Sequence, residues 1–169
     1  MENKNKHHRP KRLVIWALLA MLAAAFILRV ANIENIPYGI YPDEAQNGVD
    51  AQIANKTGEY KLFYETNNGR EGLFINIQAL SIKFFGSTTF ALKLPSIIFG
   101  TLTVLGVFLL TYELLQSYIA ALLGAYFVTF SYWAINFSRI GFRAIMVPMI
   151  LVFTFYFIFR GLRTKKIHD

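Results

Sequence analysis

Four long apolar runs constrain this chain more than any other feature: Leu13 to Ala31, Phe90 to Leu115, Tyr118 to Ile135 and Met146 to Phe159. At ~1.5 Å per residue the first of them just crosses the ~30 Å hydrocarbon core of a bilayer. Inside lipid every backbone N–H and C=O must find its partner within the segment, so runs like these are predicted to be helices. The composition agrees, because 55% hydrophobic residues leave too little polar surface to cover a soluble core of this size.

The predicted fold class is therefore all-α integral membrane. The organisation reads as a basic tail over 1–12, a span over 13–31, a large loop over 32–88, spans over 89–115 and 118–135, a short loop over 136–144, a span over 145–160 and a basic tail over 161–169. Five cations lie between Lys4 and Arg12, and four between Arg160 and Lys166. Basic flanks mark the cytoplasmic side, and four spans place both tails there. The protein is expected to be multi-pass in the plasma membrane, with residues 32–88 outside. A basic tail before an apolar run also resembles a signal peptide, but no small-x-small cleavage site follows the run. Arg29, near the outer end of the first span, is expected to snorkel to the interface.

The net charge of +7 does not indicate nucleic-acid binding, because the cations sit in the tails rather than along one stripe with aromatics. There is no cysteine, and the three histidines are His7, His8 and His168 in the tails, so no thiolate or His/Cys metal cluster is expected.

The large loop is where the chemistry gathers. It holds seven of the ten carboxylates, counted from Ile33 to Thr88. Pro42-Asp43-Glu44-Ala45-Gln46 reads as a helix start, with Asp43 capping and Gln46 completing a capping box. A helix over 43–57 follows, stopped by Gly58, with an apolar stripe of Ala45, Val49 and Ile53 and with Asp50 on a solvated face. A second short helix covers 71–85 and ends before Gly86. Both are too short or too polar to span, and both are predicted to lie along the membrane interface. Arg139 and Arg143, in the short loop, face the same side as these acids.

The ordered set of motifs is familiar. A first span precedes Pro42-Asp43-Glu44 on a surface helix. Then come Gly72-Leu73-Phe74-Ile75-Asn76, Phe90-Ala91-Leu92-Lys93-Leu94-Pro95-Ser96 and Ser138-Arg139-Ile140-Gly141-Phe142-Arg143. From Leu13 onward this resembles the N-terminal part of the dolichyl-phosphate-mannose protein mannosyltransferase family and of its bacterial relatives, the lipid A aminoarabinose transferases. The resemblance implies a GT-C-like N-terminal module. It also implies a membrane glycosyltransferase that moves a sugar from a polyprenyl-phosphate donor to a protein, lipid or glycan acceptor on the outer face, with inversion.

By position the resemblance makes Asp43 the general base, with Glu44 beside it. The second acid that such families place before the fourth span has no counterpart in Ala144-Ile145-Met146-Val147-Pro148. Phosphate is a good leaving group, so the reaction needs a base near the acceptor and cations near the phosphate. Arg70, Arg139 and Arg143 are the candidate phosphate partners, with Glu71 beside Arg70.

The plainer readings stand beside these. Asp43 also suits an N-cap, Glu44 a first-turn dipole residue, Glu71 a helix opener, and Arg139 and Arg143 interface anchors. Asp43, Glu44 and Asp50 lack metal-ligand spacing, so no cofactor is expected, a divalent cation near Asp43 being the one alternative. A non-catalytic polytopic membrane scaffold and a transporter fragment are the alternative functions.

Overall fold

The computed structural model describes residues 8–164, so the ends of both predicted basic tails lie outside the described residues. The elements in chain order are α1 (His8–Val30), α2 (Pro42–Thr57), β1 (Phe63–Tyr64), β2 (Arg70–Glu71), α3 (Gly72–Phe85), α4 (Thr89–Leu115), α5 (Tyr118–Phe130), α6 (Tyr132–Arg139), a 3-10 turn (Arg143–Ile145) and α7 (Met146–Thr164).

Three stretches are long and apolar enough to cross a membrane: Arg12–Val30, Thr89–Leu115 and Arg143–Thr164. The predicted straight helix over 118–135 is instead a pair, α5 and α6, bent by 54°. The break falls at Ser131, whose extended backbone ends α5 and whose hydroxyl accepts from Ala134 N to start α6. Ser131 is thus an N-cap inside an apolar run.

A break in a helix frees carbonyls at the end of its first half. Arg29 of α1 meets this need. It is fully buried and donates from NH2 to Val128 O at 3.4 Å, from Nε to Ser138 Oγ at 3.1 Å and from NH1 to Ala25 O at 2.9 Å. The expected snorkelling of Arg29 is therefore corrected, since its cation is buried at the negative end of α5 rather than reaching out of the protein. Arg139 of α6 does the same for α1. It donates to the carbonyls of Leu28, Arg29, Ala31 and Ile36 at 2.7–3.3 Å. Each arginine closes the C-terminal end of a helix other than its own.

α4 is the central helix and packs against α1, α3, α5, α6 and α7. Thr88 caps it, accepting from Ala91 N at 3.1 Å. Pro95 lacks the N–H that would bond Ala91 O. Ser81 of α3 supplies the missing donor, its hydroxyl lying 2.6 Å from Ala91 O. The proline in α4 is thereby the place where α3 docks.

Two apolar clusters hold the elements together. One joins Ala51 and Ala54 of α2 to Ile75 and Ala79 of α3 and to Ala91 and Leu92 of α4. The other joins Ala25 of α1, Val104 and Phe108 of α4, and Ala121 and Ala125 of α5. At the opposite end of the bundle Arg163 of α7 meets Glu113 of α4, Nε to Oε1 at 2.5 Å.

α2 runs as predicted to Gly58, whose φ of +78° is the left-handed ending that favours glycine. Its start is different. Tyr41 is the N-cap, Pro42 occupies the first turn and no side chain caps the helix. The Asp43–Gln46 capping box does not form, and Gln46 donates to Asp50 Oδ1 at 3.3 Å instead. The expected solvated face of Asp50 is corrected, because it packs inward. Ala45, Val49 and Ile53 point outward, and Glu44, Asn47 and Asp50 are buried against the rest of the molecule.

Candidate active site

The two-residue strands β1 and β2 pair antiparallel, Phe63 with Glu71 and Tyr64 with Arg70. They are joined through Asn67, Asn68 and Gly69, which carry φ of +51°, +65° and +81°. Asn tolerates the left-handed region better than other non-glycine residues, so Asn-Asn-Gly suits this turn. The turn aims Asn67 back at α2, where its Nδ2 donates to Asp43 Oδ1 at 2.7 Å. Among the described residues Asp43 Oδ2 accepts no hydrogen bond, and the side chain is exposed.

Arg70 is the post on which the turn is built. Its guanidinium donates to Asp50, Asn47, the Thr66 hydroxyl and the Thr66 carbonyl. Both members of the Arg70–Asp50 pair are buried, at 2% and 7% side-chain exposure. Asp50 is therefore no solvated residue. It carries the countercharge that lets Arg70 be buried.

Between α2, this turn and the segment after α6 lies a cleft of about 230 Å³, lined by Asp43, Asn47, Asn67, Asn68, Gly69, Arg70, Phe142 and Arg143. Three of the six sequence-predicted site residues, Asp43, Arg70 and Arg143, share it. Glu71 stands at its edge, with Oε2 3.3 Å from Arg143 Nε. The other two lie elsewhere. Arg139 is buried on the carbonyls at the end of α1. Glu44 points away from the cleft and is fully buried with Lys93 of α4, whose Nζ lies 3.8 Å from Oε1. Burial raises the Glu44 carboxyl to about 7, against the lowering pull of the Lys93 charge.

Sequence reading passed over Asn47, Asn67, Phe142 and Lys93. Asn-Asn-Gly was a legible turn signal for Asn67. Asn47 and Lys93 become visible only once α2 is docked. Among the described residues, no three His, Cys, Asp or Glu side chains gather as a metal site requires.

A second groove, of about 420 Å³, runs along α4, α6 and α7, its open surface almost wholly apolar from Val107, Trp133, Phe137, Pro148 and Val152, with Arg29 and Ser138 in its wall. The segment from Phe137 to Ile145 separates groove from cleft, with Phe137 and Phe142 edge to face at 6.0 Å.

The cleft thus sets one open carboxylate, Asp43, near Arg143 at the start of a membrane-length stretch, with Arg70 beside them already paired to Asp50. The family model for dolichyl-phosphate-mannose-protein mannosyltransferases matches residues 73–169, more than half of the chain, and the matched stretch includes Lys93, Arg139 and Arg143. No curated protein and no solved structure matches the chain. Taken with its membrane-length helices, that match establishes that the chain belongs to the dolichyl-phosphate-mannose-protein mannosyltransferase family.

Proposed function

We propose that this chain carries the acceptor-activating site of a membrane glycosyltransferase that takes its sugar from a polyprenyl-phosphate donor on the outer face of the membrane. The observation that carries the reading is the placement of an open Asp43 carboxylate and the Arg143 guanidinium in one cleft of about 230 Å³. In this account α5 and α6 count as the fourth pass. α2 and α3 lie along the outer interface, and the apolar groove on the other side of the Phe137–Ile145 segment supports placing a lipid tail near the phosphate.

Asp43 is the general base. Asn67 fixes its Oδ1, and Oδ2 takes the proton of the acceptor hydroxyl or amine as that atom attacks the anomeric carbon. The bond from the anomeric carbon to the phosphate oxygen breaks, and polyprenyl phosphate leaves. One carboxylate on the acceptor side suffices for a single displacement with inversion.

Arg143 is the phosphate partner. Its present partner Glu71 has a side chain 77% exposed, and such surface pairs contribute only about 0–1 kcal/mol. A charge-assisted bond to phosphate contributes roughly 1.5–3 kcal/mol and so displaces Glu71. Arg70 stays on Asp50 and contributes field and shape to the cleft. Arg139 is left out of the donor site because four backbone carbonyls already occupy it.

The reading is tested with the full protein in proteoliposomes and a polyprenyl-phosphate mannose labelled in the sugar. Release of polyprenyl phosphate coupled to label transfer supports it. Donor that stays intact with protein, lipid and glycan acceptors supplied would leave a scaffold or transporter role and overturn it.

A further inference from the structure

We infer that Glu44 and Lys93 are positioning residues for the Asp43 cleft: their buried pair clamps the turn that carries Arg143 against the start of α2. The inference rests on the glycosyl-transfer reading for its kinetic consequences, but its geometry stands without it.

Both side chains are fully buried, on different elements, and neither lines the cleft. Glu44 directly follows Asp43 on α2. Its carboxylate lies against Gly141, where a Cβ would come within 2.7 Å of Oε1 and 2.9 Å of the carboxyl carbon. Gly141 has φ of +57°, a conformation that also disfavours any side chain there. Phe142 and Arg143 follow at once and form one wall of the cleft. The Glu44 carboxylate is thus packed between the start of α2, which carries Asp43, and the Gly141 turn, which leads to Arg143; it accepts no hydrogen bond from the turn, and its contact with Lys93 is a charge contact at 3.8 Å.

Two further contacts hold that turn. Gln78 of α3 donates to Gly141 O at 3.4 Å and to Leu92 O at 2.9 Å. Leu92 neighbours Lys93, so α2, α3, α4 and the turn all meet around the Glu44–Lys93 pair. A buried ion pair adds little net stability over apolar side chains of the same size, whereas breaking it from one side is costly. The feature this pair does supply is registry between four segments, two of which carry the reacting groups.

The chain has no cysteine, so Val49→Cys on α2 and Tyr132→Cys on α6, both exposed, accept spin labels at defined places. The distance distribution between them is measured at about pH 8, above the Glu44 pKa of about 7 so that the carboxyl is ionised, in wild type, Lys93→Met, Glu44→Gln and the double variant, beside transfer kinetics on the full protein with polyprenyl-phosphate mannose. Each single variant is expected to broaden the distribution and to lower kcat by about tenfold or more, with donor KM within about threefold. The double variant removes both charges and is expected to restore the narrow distribution and to recover most of kcat. Gly141→Ala pushes the carboxylate off the turn and is expected to reproduce the single-variant defect. It decides the matter if the charge variants do not accumulate.

Unchanged distances and turnover in the single variants, or in Gly141→Ala, would overturn the inference. A double variant with wild-type distances and no turnover would also overturn it, by making Glu44 a chemical participant. If wild type transfers no sugar, the functional reading fails and the label distances alone still decide the clamp.

Discussion

Among single residues, the six candidate side chains differ in what they touch. Among the described residues the side chain of Arg143 is held by an exposed partner, Glu71, so Arg143→Ala should raise the donor KM by about 10–100-fold, the loss of one charge-assisted phosphate contact, with a smaller effect on kcat. Donor titration of the variant beside wild type checks this, and an unchanged KM would remove Arg143 from the donor site. Glu44 makes a prediction about pH. Its folded-state pKa of about 7 lies above the ordinary 4.5, so folding favours its protonated form. Stability from this group is therefore fully present below about pH 4.5 and is lost as pH rises toward 7. Thermal unfolding of wild type minus Glu44→Gln should show wild type gaining relative stability between pH 7 and 5, and a flat difference would show that burial does not govern this carboxyl. Asp43, Asp50 and Glu44 were all visible as acids of the large loop, but their roles were not. Only docking of Arg70, twenty positions beyond Asp50, and of Lys93, on another helix, decides which acid is buried and which is open.

At the scale of elements, apolar run length located α1, α4 and α7, and Gly58 and Gly86 located the ends of α2 and α3. Periodicity did not reveal the bend at Ser131, because residues on both sides of it are apolar and the break depends on a hydroxyl cap and on Arg29 from another helix. It also left Asp50 on a solvated face, since nothing in the spacing shows that Arg70 will bury it. The Arg70–Asp50 pair is the strongest test of that packing. Asp50→Ala leaves a buried guanidinium uncompensated and should destabilise the loop by about 3–5 kcal/mol, whereas replacing both residues with apolar ones should cost less. Melting in detergent with the single and double variants measures this. A single variant as stable as wild type would mean that Arg70 reaches solvent.

At the scale of the whole molecule, the C-terminal end of α1 meets Arg139, and the end of α4 meets Arg163 of α7, so the helices alternate in direction and the large loop lies at one end. That arrangement predicts Leu62, 93% exposed, on the outer side and Gln116, between α4 and α5, on the inner side. An impermeant thiol reagent should label Leu62→Cys but not Gln116→Cys in intact cells, and the reverse pattern would invert the topology. The claim on which everything else depends is that Asp43 accepts the proton of the acceptor. Asparagine at this position keeps the Oδ1 acceptor for Asn67 and disturbs no cap, because the side chain of Asp43 caps nothing. The decisive measurement is single-turnover transfer from a labelled polyprenyl-phosphate sugar by Asp43→Asn in the full protein, with donor binding measured in parallel. Donor affinity is expected within about threefold of wild type and the rate lower by roughly 10²–10⁴-fold, the usual loss of a general base. A rate within about tenfold of wild type would contradict the claim.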